Sequence, residues 1–285
     1  MKVIRTVKEI QNQINEFNLH PLGFVPTMGA LHAGHISLVK NAISDCKLVV
    51  VSIYVNPTQF NDKEDLKNYP RTLSADLDLL GTVLRDNDLV FTPDDMEVYP
   101  GEDNRTFHFG NLDKVMEAQH RPGHFNGVAK VVSRLFDIVQ PDIAFFGIKD
   151  FQQVAVIREM VRQEKYNIRI EGNPIIREPD GLALSSRNRL LEPEIRKRAP
   201  VIFKTISAAA SMIKREDIPM IIEFVRNTIN KSDGFSVEYF EIVDDTDLKP
   251  VRLKSKMKKN KRYFGCIAVK AGRIRLIDNI KFQVE

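Results

Sequence analysis

Leu22-Gly23-Phe24-Val25-Pro26-Thr27-Met28-Gly29-Ala30-Leu31-His32-Ala33-Gly34-His35-Ile36 is the stretch on which the fold turns. Leu22 to Pro26 is a short apolar run closed by a proline, the pattern of a buried strand. Ile36 to Cys46 places Ile36, Val39 and Ile43 on one face, the period of a helix. The residues between them form a strand-to-helix turn carrying two glycines and two histidines.

Outward from this turn the alternation continues. Lys47 to Val55 is rich in Val and Ile, as in a strand buried on both faces. Leu73 to Arg85 reads as a helix through Leu77, Leu80 and Leu84, and Asp88 to Thr92 as a short strand. Phe125 to Val139 is a helix, Asp142 to Phe146 a strand, Phe151 to Gln163 a helix and Ile168 to Glu171 a strand. Upstream, Thr6-Val7-Lys8-Glu9 has the spacing of a capping box, with Val7, Ile10, Ile14 and Phe17 following at helical intervals. Strands alternating with helices predict an α/β fold, a doubly wound (Rossmann-like) parallel sheet with helices on both faces. Past residue 175 the order changes. Pro193 to Lys214 and Asp217 to Asn230 read as helices, then Ser236 to Val243, Tyr263 to Lys270 and Ile274 to Phe282 as strands. The expectation is a first domain over 1–175 and a smaller α+β domain over 176–285.

Composition narrows the function classes. At 285 residues, 43 % hydrophobic and 28 % charged, the chain has an ordinary globular balance. The longest apolar run, Leu48 to Val55, is broken by Ser52 and falls far short of the ~20 residues that span a bilayer. The first residues are interrupted by Lys2, Arg5, Lys8 and Glu9, unlike a signal peptide. Cys46 and Cys266 are far apart, with no C-x-x-C, so they read as idle thiols in a reducing cytoplasm. The net charge of +4 is partly local, because Lys254, Lys256, Lys258, Lys259, Lys261 and Arg262 share one stretch. A solvated loop between strands accounts for that stretch. An RNA-binding role would need aromatics interleaved with the cations, which are missing.

The turn itself carries the chemistry. In open α/β sheets ligands bind beyond the carboxyl ends of the strands, and a helix N-terminus there suits phosphate. Gly29 and Gly34 allow close backbone approach. His32 and His35, three apart, share one side of a first helical turn and can donate hydrogen bonds to phosphoryl oxygens as charge develops. A lone histidine at a helix start is ordinarily a surface residue; H-x-G-H at a strand-to-helix turn is more specific. There is no G-x-x-x-x-G-K-[ST], no G-x-G-x-x-G after a strand and no H-E-x-x-H.

H-x-G-H resembles the signature of the nucleotidyltransferase superfamily, which attacks the α-phosphate of a nucleoside triphosphate. Further motifs follow in order: Asn56-Pro57-Thr58-Gln59-Phe60, Tyr69-Pro70-Arg71-Thr72, Arg121-Pro122-Gly123-His124-Phe125-Asn126-Gly127-Val128, Phe146-Gly147-Ile148-Lys149-Asp150-Phe151-Gln152-Gln153, and Arg177 through Asn188. From Thr27 to about Leu191 this set is similar to the pantothenate synthetase family. The resemblance implies a two-step ligase in which ATP and pantoate give pantoyl adenylate and pyrophosphate, and β-alanine then displaces AMP.

Site roles come from the same resemblance. Met28, Gly29, Ala30, Leu31, His32, Ala33, Gly34 and His35 would bind ATP, as would Gly147, Ile148, Lys149, Asp150, Ile176, Leu184, Ser185, Ser186 and Arg187. His35, His32, Lys149 and Arg187 would be catalytic. Gln59 and Gln153 would hold pantoate, with the family register choosing Gln153 over its neighbour Gln152. The segment Leu184 to Arg187 would act as a lid. The resemblance also implies Mg²⁺, a homodimer and a cytoplasmic enzyme of small molecules, without nucleic-acid or membrane partners. Some relatives carry two adjacent acids where this chain has Ala75-Asp76, so a metal role is not assigned to Asp76. A nucleotidyltransferase acting on a phosphorylated acceptor shares the turn, and its products would distinguish it.

Overall fold

The computed structural model describes residues 1–60 and 63–283. Contacts divide the chain into two compact units. The first comprises Met1–Phe109, Arg121–Ile148 and Val156–Pro174; the second comprises Gly110–His120, Lys149–Ala155 and Ile175–Glu285. The limits expected from sequence, 1–175 and 176–285, leave 110–120 and 149–155 in the first domain, whereas their contacts assign both to the second unit.

The first unit is built on six strands: β1 (Lys2–Ile4), β2 (Leu22–Thr27), β3 (Leu48–Ile53), β4 (Leu89–Phe91), β5 (Ile143–Gly147) and β6 (Arg169–Asn173). They lie in the order β1-β4-β3-β2-β5-β6, and every neighbouring pair is parallel. From β2 the chain builds outward through β3 and β4, then returns to place β5 on the other side of β2. The order therefore reverses between β2 and β5, the switch point at which such sheets hold ligands.

Strand periodicity covers both faces. Val25, Val49, Val51, Val90, Ile143 and Phe145 pack with Leu38, Val39 and Ala42 of the helix Ala33–Asp45 and with Leu80 of the helix Leu73–Gly81. Phe24, on the opposite face, meets Phe136 of the helix His124–Val139 edge-on at 6.2 Å. Both rings are fully buried, each contributing about 1.5–3 kcal/mol of transfer free energy. The doubly wound sheet predicted from the alternation is thus the architecture found. Thr6 caps the helix Val7–Phe17 by accepting the Glu9 amide at 3.3 Å.

The second unit holds an antiparallel sheet of β7 (Phe235–Asp244), β8 (Tyr263–Ala271) and β9 (Ile274–Phe282), in sequence order. Ile202, Ile206 and Ala209 from one helix, and Ile221, Val225 and Ile229 from another, share a core with Phe240, Ile267 and Val269 of the sheet. The helix expected over Pro193 to Lys214 is two helices, Pro193–Arg198 and Val201–Met212. Pro200 has no N–H to offer the Arg196 carbonyl, which instead receives the Ala199 amide at 3.3 Å. Among the described residues, no helix is long and apolar enough to cross a membrane.

Candidate active site

At the carboxyl end of β2 the chain makes a left-handed step, with φ of +78° at Gly29 and +49° at Ala30. Glycine suits the first position. A Cβ there would also sit 3.0 Å from an oxygen of Asp76. The turn is tied down atom by atom. Thr27 Oγ1 donates to the Ser52 carbonyl at 2.7 Å and accepts the Gly29 amide at 3.2 Å. Asp76, only 3 % exposed, accepts the Ala30 amide at 3.0 Å on Oδ2 and the Leu31 amide at 2.8 Å on Oδ1.

His32 is the residue before the helix rather than part of its first turn. Its Nδ1 caps the helix Ala33–Asp45 by accepting the Gly34 amide at 3.1 Å, and His35 Nδ1 accepts the His32 amide at 3.3 Å. Two histidines thus form a reciprocal capping box. A ring that accepts through Nδ1 carries its proton on Nε2, so the proton of each imidazole sits on Nε2. The ring centroids are 4.1 Å apart. The amides of Gly29, His32 and Gly34 donate within the turn itself, and those of Ala30 and Leu31 donate to Asp76. The expectation of a helix N-terminus offering its N–H groups to phosphate is narrowed for these five amides, each of which already has a protein acceptor.

Gln59 ends a short 3₁₀ turn, Pro57–Gln59, that follows β3. Its Nε2 donates to Met28 Sδ at 2.8 Å, linking it to the β2 turn. Its carbonyl receives His124 Nδ1 at 2.8 Å. The motif from Arg121 to Val128 supplies the support. A Cβ on Gly127 would lie 2.5 Å from the Thr58 carbonyl and 2.9 Å from Gln59 Cα, so only glycine lets this helix approach the 57–59 turn. Beside the β2 turn a cavity of about 400 Å³ is lined by Met28, Gly29, Tyr54, Arg71, Asp76 and Asp95, among others. Gly147 closes β5 across the switch point, and Ile148 donates its amide to the Asn173 carbonyl at 2.9 Å.

The remaining predicted residues belong to the second unit. Lys149 lies 3.4 Å from Asp150, and its carbonyl receives Asn279 Nδ2 at 3.2 Å. Gln152 is buried, its amide spent on the Glu117 N–H and on the Leu112 and Val115 carbonyls. Gln153, its neighbour, is half-buried. Glu117 itself is held by Arg275 at 2.7 Å and by Tyr239 Oη at 2.6 Å.

The segment from Ile176 to Arg187 is a narrow hairpin. The Leu184 amide donates to the Ile176 carbonyl at 3.0 Å, and Arg177 and Ala183 bridge. Arg177 forks onto buried Asp278 at 2.6 and 2.9 Å and lies over the Phe203 ring. Ser185 caps the 3₁₀ turn Ser186–Leu190 by accepting the Arg187 amide at 3.3 Å. The basic stretch is a loop between β7 and β8. Lys261 and Arg262 there pair with Asp244 and Asp245, as a solvated loop would.

Sequence reasoning missed the supporting residues Asp76, Gly127, Gln152, Asp278 and Asn279. The Arg121–Val128 motif signalled Gly127; the others act across 30 or more residues of chain.

A parallel sheet whose switch point leads into a helix capped by two histidines places the chain among the open α/β folds that hold ligands at that point. Comparison with known proteins narrows the class. The family model of pantoate-β-alanine ligase matches residues 2–281. The chain is 49 % identical to the pantothenate synthetase of Bacteroides thetaiotaomicron, covering 99 % of each, and 50 % identical to that of Azobacteroides pseudotrichonymphae over 99 % and 100 %. Among solved structures, pantothenate synthetase from Thermus thermophilus superposes with a TM-score of 0.90 at 38 % identity, covering both chains fully. Pantoate-β-alanine ligase from Francisella tularensis, complexed with beta-gamma ATP and β-alanine, gives 0.80 at 35 % identity, with 99 % and 97 % covered. This chain belongs to the pantoate–β-alanine ligase family.

Proposed function

We propose that the chain condenses pantoate with β-alanine at the expense of ATP, through a pantoyl adenylate, releasing AMP and pyrophosphate. The observation that carries this reading is the paired-histidine cap at the switch point, in a chain whose family match runs from residue 2 to 281.

The chemistry follows from charge. A carboxylate attacking an α-phosphate brings two anions together, so the site must supply donors and cations. His32 and His35 donate through Nε2–H to phosphoryl oxygens and strengthen that bond as charge builds in the transition state. Lys149 and Arg187 neutralise the phosphates. Gln59 and Gln153 orient pantoate by neutral amides, which donate and accept without adding a charge. Gly147, Ile148, Asp150 and Ile176 line the nucleotide. Leu184 to Arg187 act as the lid that keeps water from the labile adenylate, the role proposed for the 176–285 region as a whole.

Magnesium enters this reading as a counter-ion of the ATP phosphates, where it would offset charge. Among the described residues no three His, Cys, Asp or Glu side chains converge on a possible metal position, and the two oxygens of Asp76 are occupied by amides. That donor set does not build a protein cage. The family resemblance carries two further parts of the proposal, a homodimer and a cytoplasmic location. Sedimentation of the purified chain tests the first.

Pantoate labelled with ¹⁸O in its carboxylate tests the intermediate. One labelled oxygen recovered in AMP supports the acyl adenylate; label retained wholly in pantothenate and unreacted pantoate rules it out.

A further inference from the structure

The residue that shapes the nucleotide turn lies 45 positions beyond it. Asp76 sits in the first turn of the helix Leu73–Gly81, with its amide bonded to the Thr72 carbonyl at 2.9 Å. Its carboxylate is 3 % exposed. Oδ2 accepts the Ala30 amide and Oδ1 the Leu31 amide, and Thr72 Oγ1 adds a third donor at 3.2 Å. No cation pairs with it among the described residues. A buried carboxylate is costly unless hydrogen-bonded, and here the donors are two successive amides of the proposed ATP-binding turn. Those amides stand directly after Gly29 and include left-handed Ala30, a conformation unfavourable for a non-glycine residue. Something must hold it, and Asp76 is the group bonded there. Met28 at the start of this turn contacts Gln59, and His32 at its end carries the cap.

We propose that Asp76 is a positioning residue for adenylation: its carboxylate fixes the Gly29–Leu31 backbone, and through it the placement of His32 and His35, without itself coordinating a metal. Both oxygens already accept backbone amides, so a metal could bind only by releasing the turn. The inference rests on the proposed role of His32 and His35 at the ATP phosphates.

Asp76→Asn keeps size and one acceptor oxygen but turns an NH₂ toward an amide; Asp76→Ala removes both acceptors. Hydrogen exchange of the full chain reads the turn independently of activity. The peptide covering 28–36 loses protection at least tenfold in Asp76→Asn, while peptides within 124–139 keep theirs. In pantoate-dependent ATP–pyrophosphate exchange, kcat falls about tenfold in Asp76→Asn and about 10²-fold in Asp76→Ala, the scale of a small displacement of reacting groups. The concentration of Mg²⁺ for half-maximal rate stays within twofold. Unchanged protection at 28–36, or unchanged kcat in a folded Asp76→Asn, overturns the proposal. So does a rise of tenfold or more in the Mg²⁺ requirement, which would make Asp76 a metal ligand. Wild-type exchange is the control that separates the two claims: its absence defeats the ligase reading, whereas its presence with an indifferent Asp76 defeats only this one.

Discussion

His32 and His35 cap one helix reciprocally, the Nδ1 of the first on the Gly34 amide and the Nδ1 of the second on the His32 amide. One nitrogen of each ring is spent on structure, and the proposed function gives the phosphates to the other. The two roles can be separated by substitution. His32→Asn retains a good helix cap, so stability should change by only about 0.5 kcal/mol. It loses the Nε2–H donor, so the adenylation rate should fall tenfold or more. His35→Ala removes a donor expected to strengthen in the transition state and should lower the rate about 10²–10³-fold, ~3–4 kcal/mol. Stopped-flow adenylation rates beside denaturant melts check both. A rate loss that merely tracks lost stability would return the pair to a purely structural role.

Gly127 sets where Gln59 stands. A methyl group added there meets the Thr58 carbonyl at 2.5 Å. That atom is backbone and cannot swing away. Gly127→Ala should therefore cost about 1–3 kcal/mol of stability by overpacking. It should also raise KM for pantoate several-fold while leaving ATP affinity near the wild-type value, the same selectivity expected of Gln59→Ala. Equal loss of both affinities would indicate a general folding defect.

Arg105 forks onto both oxygens of Asp103 and also reaches Asp137 at 2.9 Å. Its hydrogen bonds hold the Asp103 carboxyl below its ordinary value of 3.8. A carboxyl lowered in the folded state stabilises the fold above its unfolded value, and this contribution is lost as pH falls through the folded one. The stability difference between wild type and Arg105→Met should thus be full at pH 5–7 and shrink below 3.8. Urea melts across that range measure it, and a gap that stays constant to the acid limit contradicts the assignment.

Burial pushes the Cys46 thiol up to about 11, and Cys266 higher still. At pH 8 only about one Cys46 in a thousand would be thiolate, the reactive form. Native protein should leave both thiols unmodified by an aromatic disulfide reagent over an hour, and denatured protein should titrate two. Rapid labelling of the native chain would show that the thiols are reachable.

Much of the architecture is legible in the residues. Val- and Ile-rich runs between helical stretches announce a parallel sheet, because strands buried on both faces have no other composition open to them. β1 escaped notice: at three residues, Lys2 to Ile4, it is too short to show a period, and its pairing with β4 is a tertiary fact. The break at Pro200 was written in the sequence but overridden by the apolar spacing on either side. The H-x-G-H turn was legible as a site because its residue types are chemical. What holds the turn was not. Asp76 looks like any acid in the first turn of a helix, and nothing local says that its partners are amides 45 and 46 residues earlier. Gln152 and Gln153 are indistinguishable in composition, and only burial separates them.

The most direct test of the ligase reading is pyrophosphate release from ATP, Mg²⁺ and D-pantoate, first without β-alanine and then with it. The account predicts a burst approaching one equivalent per site without the amine, then steady turnover to AMP and pantothenate once it is added. No release with pantoate, but release with a nucleoside triphosphate and a phosphorylated acceptor whose product retains the nucleotide, would contradict it.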